Sequence, residues 1–350
     1  MTRLRQLLLL AALVPLLGGC ATLRYYAQAV SGQLELMRRA APIDEELRSD
    51  VTPAALKEKL RSALRVRQFA SRELGLPDNG SYKSYADLGR RYVVWNVFAA
   101  TEFSIKPLTS CFPIAGCVSY RGYFDESDAK VAGVALRERG YDVHIGGVPA
   151  YSTLGWFEDP VLSTFIHYPQ TELARLMFHE LAHQLLYVKD DSRFNESFSS
   201  TVEQAGVARW LAQGGNENER SAYERRQNIR SEFLALLIRY KAILGQYYLQ
   251  DLPLEQKRLG KARHFAEMEQ EYRQLKVSWG GFAGYDRWFD SKPNNATLAS
   301  VVLYTDLVPA FSALLAHEDG DLPRFYTAVK ELARLPREER DARLRSLAGN

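Results

Sequence analysis

Residues 178–206 read FHELAHQLLYVKDDSRFNESFSSTVEQAG and contain two of the chain's six histidines, four apart, followed by two glutamates seven apart. In a helix, positions i and i+4 lie one above the other, so His179 and His183 turn their imidazoles toward one point. Ala174, Met177, Phe178, Leu181, Leu185 and Val188 supply the apolar arc of that helix, which predicts its buried side. At about 100° per residue, Glu196 and Glu203 fall roughly 20° from coincidence. A second helix would therefore present both carboxylates on one face and Phe198, Val202 and Ala205 on the other. Two imidazoles and a carboxylate form a donor set for Zn²⁺, which takes three protein ligands in catalytic sites and keeps a fourth position open.

Upstream of this segment, composition sets the bounds. The 350 residues are 46% hydrophobic, enough for a sizeable core in one large domain or two modest ones. Arg3 and Arg5 precede an apolar run from Leu7 to Leu17, as in an export signal over residues 1–19, and the run is too short to span a bilayer. Leu17, Gly18, Gly19 and Cys20 resemble the lipobox at which bacteria cleave and attach lipid, so Cys20 is expected to be the first mature residue and a membrane anchor. Ala21 after it resembles sorting to the outer membrane, with the chain facing the periplasm. Losing the leader removes two arginines and no acids, so the net charge falls from +3 to +1. Near neutrality gives no electrostatic case for a nucleic-acid partner. Cys111 and Cys117, six apart around Pro113 and Gly116, are expected to form a disulfide in an oxidising compartment. A metal pair is the alternative, but no second cysteine pair or nearby histidine completes it.

The rest of the chain predicts an α+β fold that is mainly helical, with a small sheet beside the metal-binding helix pair. Residues 22–75 carry helical periodicity broken by Pro42 and Pro53. YVVWNVFAA, GCVSYRGYF and GYDVHIGGVPAYSTL are β-branched and aromatic, with a helix expected at about 126–139 between the last two. Helices are expected over roughly 171–189, 194–212, 217–245, 254–278, 295–317 and 321–347. The corresponding organisation is a signal peptide (1–19), an N-terminal helical segment (20–90), a core with the sheet and metal-binding helices (91–215), and a helical C-terminal region (216–350).

HELAH followed by NESFSSTVE resembles the two-helix zinc core of the gluzincins, in particular aminopeptidases of the aminopeptidase N type. With its lipobox, CFPIAGC and GGVPAYSTLGWFEDP, the whole chain also resembles a family of bacterial lipoproteins labelled predicted aminopeptidase. The resemblance implies that His179, His183 and Glu196 hold Zn²⁺, that Glu180 is the general base for attack of metal-bound water on a peptide carbonyl, and that Glu203 orients a ligand histidine. It further implies an oxyanion donor from the C-terminal half, for which Tyr304 is the candidate. An extended segment before the zinc helix, Tyr151, Ser152 and Thr153, would bind substrate backbone, and Glu158 beyond it has the alternatives of amine recognition and an exposed loop acid. One departure stands out: His183 and Glu196 are 13 residues apart, against about twenty in the resembled enzymes. A tight turn over VKDDSRF is therefore required, and Glu203 becomes a rival third ligand. The Gly-Ala-Met-Glu-Asn stretch that recognises the substrate amine in aminopeptidase N is also missing. The expected function is a zinc peptidase acting on peptides, first an aminopeptidase, with an envelope endopeptidase and a zinc-retaining scaffold as rivals.

Overall fold

The computed structural model describes residues 23–112, 116–302 and 307–347. Helix α1 (residues 23–39) runs into β1 (Ala40–Pro42), α2 (Ile43–Arg48) and α3 (Ala54–Arg72). Pro42 and Pro53 stand immediately before α2 and α3, where a missing backbone N–H leaves no helical hydrogen bond unmade. Next come β2 (Ser84–Ala86), β3 (Val94–Thr101), β4 (Ser110–Phe112), β5 (Gly116–Val118) and β6 (Arg121–Tyr123), then α4 (Glu126–Glu138) and β7 (Tyr141–Val148). The Asp125 carboxylate caps α4 by accepting from the Ser127 and Asp128 amides.

β3 is the centre of an antiparallel sheet ordered β6-β3-β7. Its alternation is complete. Trp95, Val97 and Ala99 pack with Tyr123 and with Ala129 of α4, while Phe98 and Ala100 meet Ala296 on the opposite face. A strand buried on both faces calls for apolar residues at nearly every position, which explains the run at 93–100 with Asn96 as its one polar member. A second, smaller sheet joins β1, β2 and β8 (Val161–Leu162), and β4 pairs with β5 across the Cys111–Cys117 disulfide.

From α5 (Gln170–Leu185) and α6 (Ser192–Gly214) onward the chain is helical: α7 (Glu217–Tyr248), α8 (Leu254–Ser278), α9 (Asp286–Asp290), α10 (Asn295–Val302), α11 (Val308–His317), α12 (Leu322–Ala333) and α13 (Arg337–Leu347). Two of the expected long helices are therefore each a pair. Pro336 separates α12 from α13, since it donates no N–H and disfavours helical backbone at Leu335. The main core is built from α3 (Leu60, Val66), α5 (Phe178), α6 (Phe198, Val202), α11 (Phe311) and α12 (Phe325). α7 and α8 close a second cluster around Phe233, Leu237, Met268 and Tyr272. No helix among the described residues is long and apolar enough to cross a membrane.

α5 and α6 touch along their length because Gly206 of α6 lies where a side chain would collide with Phe178. The six residues between them make the tight turn the spacing demands. Asn195 clamps Val188 with both ends of its amide: Nδ2 donates to the Val188 carbonyl and Oδ1 accepts from the Val188 N–H, each at 2.7 Å. Asp190 takes a left-handed conformation (φ 67°), which a short polar side chain tolerates. Asp191 then caps α6 by accepting from the Phe194 N–H and pairs with Arg340 of α13 at 2.6 Å, both side chains almost fully buried. Asp191→Ala leaves Arg340 without its counterion in the interior, so urea unfolding is expected to show a loss of about 3–5 kcal/mol. A loss under about 1 kcal/mol would show that the pair does not hold this turn.

Candidate metal centre

His179 and His183 arise one helical turn apart on the side of α5 turned toward α6. His179 Nδ1 lies 2.9 Å from Glu203 Oε2, and a carboxylate can only accept, so the proton of the neutral ring sits on Nδ1 and the Nε2 lone pair is free. His183 Nδ1 is 3.0 Å from the Ser199 hydroxyl, which both donates and accepts; the contact orients the ring and is compatible with the same tautomer. The two Nε2 atoms face each other at 3.2 Å, and Glu196 Oε2 stands 3.2 Å from one and 3.6 Å from the other. Three electron-pair donors thus converge on one point. Ligands held tetrahedrally at 2.0–2.1 Å from a cation are themselves about 3.3–3.4 Å apart. The group His179, His183 and Glu196 therefore fits a bound metal ion.

Electrostatics agree with the geometry. Burial works against a charged His179, but hydrogen bonds to Glu196 and Glu203 outweigh it and draw its pKa up to about 10. Burial likewise opposes ionisation of Glu196, yet His183 and His179 hold it at about 2. The cluster calls for positive charge at its centre, which a divalent cation supplies. Glu203 is placed differently. It is 1% exposed and, besides His179, receives Arg175 Nη1 and Arg230 Nη1 on Oε1, both at 3.2 Å. Its lone pairs are spent on orienting His179 and on two guanidinium groups, and Glu196 is the carboxylate in the donor group.

The donors open on a cavity of about 390 Å³ between α5, α6, α1 and the β6-β3-β7 sheet. Glu180 lines it beside the donors and accepts no hydrogen bond from another described residue. Burial raises its pKa, with the nearby histidines pulling the other way. A larger open hollow of about 740 Å³, bounded by Arg65, Trp210 and Arg226, contains none of these groups.

A family model described as "Putative aminopeptidase" matches residues 24–344. The chain belongs to that family. Comparison with curated proteins and with solved structures gave no match. Within this aminopeptidase-family chain, Tyr151 and Ser152 line the cavity but Thr153 does not. The expected extended strand at 151–153 is corrected: β7 ends at Val148, and Thr153 is turned into Asp159, accepted by its carboxylate through N–H (3.0 Å) and Oγ1 (2.8 Å). That carboxylate is buried, which raises its pKa to about 6. Glu158 is exposed and packs over Gly80. Tyr304 and Cys20 lie outside the described residues.

The other histidines are elsewhere. His144 tilts against Phe98, His167 is exposed against Tyr168, His264 contacts Glu267 and His317 contacts Glu318. Asn294 caps α10 by accepting from the Thr297 N–H, and Asn295 bonds to Tyr248 and the Glu102 carbonyl. Sequence reasoning missed Ser199, Arg175, Arg230, Tyr120 and Asn96. Arg175, four residues before His179, and Ser199, three after Glu196, carried a helical-spacing signal. Asn96 carried another, as the one polar residue in VVWNVFAA.

Proposed function

We propose that this chain is a zinc-dependent peptidase, first an aminopeptidase, held at the outer membrane by lipid on Cys20 and facing the periplasm. The observation that carries the reading is the convergence of His179 Nε2, His183 Nε2 and Glu196 Oε2 at a cavity wall that also holds Glu180. Family membership supports peptide as the substrate class. Two imidazoles and one carboxylate are a donor set used by catalytic zinc and also by iron(II), and the resemblance to the gluzincin core selects zinc. When bound, such an ion polarises a carbonyl and acidifies a water molecule.

The remaining chemistry belongs to the chain's own groups. His179 and His183 would hold the ion, each oriented through its Nδ1 by Glu203 and Ser199. Glu180, with no competing hydrogen-bond partner among the described residues, would take the proton of the attacking water and deliver it to the departing amine. Tyr120 and Tyr187 place hydroxyl groups at the cavity, and burial followed by the field of Glu196 raises the pKa of both, which keeps them protonated donors for a developing oxyanion. Tyr304 is a third candidate for that task. The test is metal analysis of the purified soluble chain together with mass-spectrometric mapping of cleavage in a peptide pool. Near-stoichiometric zinc and cleavage abolished by chelation are expected. Cleavage confined to free amino termini supports an aminopeptidase; equal cleavage of blocked peptides shows an endopeptidase; zinc with no cleavage overturns the enzymatic reading.

A further inference from the structure

The floor of the cavity is the face of the sheet that presents Val94 and Asn96 of β3 and Gly122 of β6. Asn96 is 7% exposed, yet its side-chain amide makes no hydrogen bond with any described residue. The amide is not sealed in the interior but lies in the cavity lining, so whatever occupies the cavity must satisfy it. Every other residue of β3 except the exposed Thr101 is apolar, so packing gives no reason for a polar group at this position. Both register partners of Asn96 are glycine, Gly122 on one side and Gly146 on the other. A Cβ on Gly122 would come within 3.2 Å of Val94 and 3.3 Å of Asn96 Oδ1. β6 thus leaves clear the space beside Asn96 at Gly122, while over Gly146 of β7 the His144 ring stands 3.3 Å from where a Cβ would lie.

The charge of the lining narrows what fits. Apart from His179 and His183, the ionisable groups lining the cavity among the described residues are Glu180, Glu196 and four tyrosines. The lining also includes the apolar side chains Val94, Val118, Phe112, Phe124 and Val148. A carboxylate reaching Asn96 would find no lysine or arginine in the described lining, and an ammonium would have only Glu180 and Glu196, which the metal centre uses, so burying either charge at Asn96 would be costly. An amide, by contrast, matches Asn96 in both senses, since each partner offers one N–H and one carbonyl oxygen.

We propose that Asn96, flanked by Gly122 and Gly146, is the specificity-determining residue of this cavity and binds an uncharged amide group of the substrate. The amide is either a carboxamide side chain or a main-chain peptide group. This rests on the peptidase reading for its substrate, but the recess itself is testable without turnover. In the Glu180→Gln protein, binding of N-acetyl-leucinamide and of N-acetyl-glutamine methyl ester is measured by calorimetry, with and without Asn96→Leu. Asn96→Leu is expected to weaken at least one probe by roughly 5- to 100-fold while leaving zinc content and the unfolding midpoint near those of the parent. Loss confined to the glutamine probe identifies a side-chain carboxamide, and loss of both identifies the main chain. Gly122→Ala, which narrows the recess and leaves Asn96 in place, should weaken the same probes, and it serves if Asn96→Leu does not fold. Unchanged affinity for both probes in either folded variant overturns the proposal. Because these measurements read affinity alone, failure of the peptidase reading appears separately, as absence of cleavage by the unsubstituted chain.

Discussion

Glu180→Gln is expected to lower peptide hydrolysis by about 10²–10⁴-fold while leaving the metal bound and the chain folded. The substitution keeps the shape of the side chain and removes only its ability to take up a proton. Nothing else in the centre depends on that carboxylate: the donor distances run among His179, His183 and Glu196, and Glu180 takes no part in them. Its surroundings favour a base. Burial lifts its pKa, so its oxygens bind a proton more tightly than those of an exposed glutamate, while the histidines beside it keep the carboxylate accessible. Turnover on a peptide found in the pool experiment, measured alongside zinc content, gives the result directly. Undiminished turnover with full zinc would mean that another group performs the proton transfer.

The donor set was legible because it is local. His179 and His183 are one turn apart on one helix, and Glu196 and Glu203 two turns apart on the next, so helical periodicity placed each pair on one face before any tertiary contact was considered. β3 was legible for a related reason, since a strand covered on both faces is apolar almost throughout, and β7 was legible from β-branched and aromatic residues punctuated by glycines. What escaped depends on contacts between distant segments. β1, β2 and β8 have only two or three residues each, too few for a period-two pattern. Arg230 reaches Glu203 from α7, 27 residues away, and nothing in its own neighbourhood marks it among the many arginines of that helix. The extended reading of 151–153 failed because Thr153 pairs with Asp159 six residues later, a side-chain bond that competes with strand formation. Asn96 was visible as a lone polar residue, but its significance rests on two glycines brought to its flanks from β6 and β7.

The same contacts predict that the two glutamates of α6 respond oppositely to loss of charge. Glu196→Gln removes a donor from a set of three, so metal affinity and activity are expected to fall together, below detection at micromolar zinc, with little cost to folding. Among the described residues Glu196 has no cationic side-chain partner other than the two histidines, so no lysine or arginine there is stranded by the change. Glu203→Gln leaves all three donors in place but weakens the acceptor that fixes His179 Nδ1, a loss of roughly 10–100-fold in metal affinity. It also strands Arg175 and Arg230, whose side chains are 26% and 31% exposed. Partial access to water tempers that penalty, and a destabilisation of about 1–3 kcal/mol is expected. Zinc titration by calorimetry and urea unfolding, performed on both variants, separate the two roles. If Glu203→Gln loses zinc outright while Glu196→Gln keeps it, the assignments exchange: the third ligand lies two turns further along α6, and Glu196 becomes the group that merely faces it.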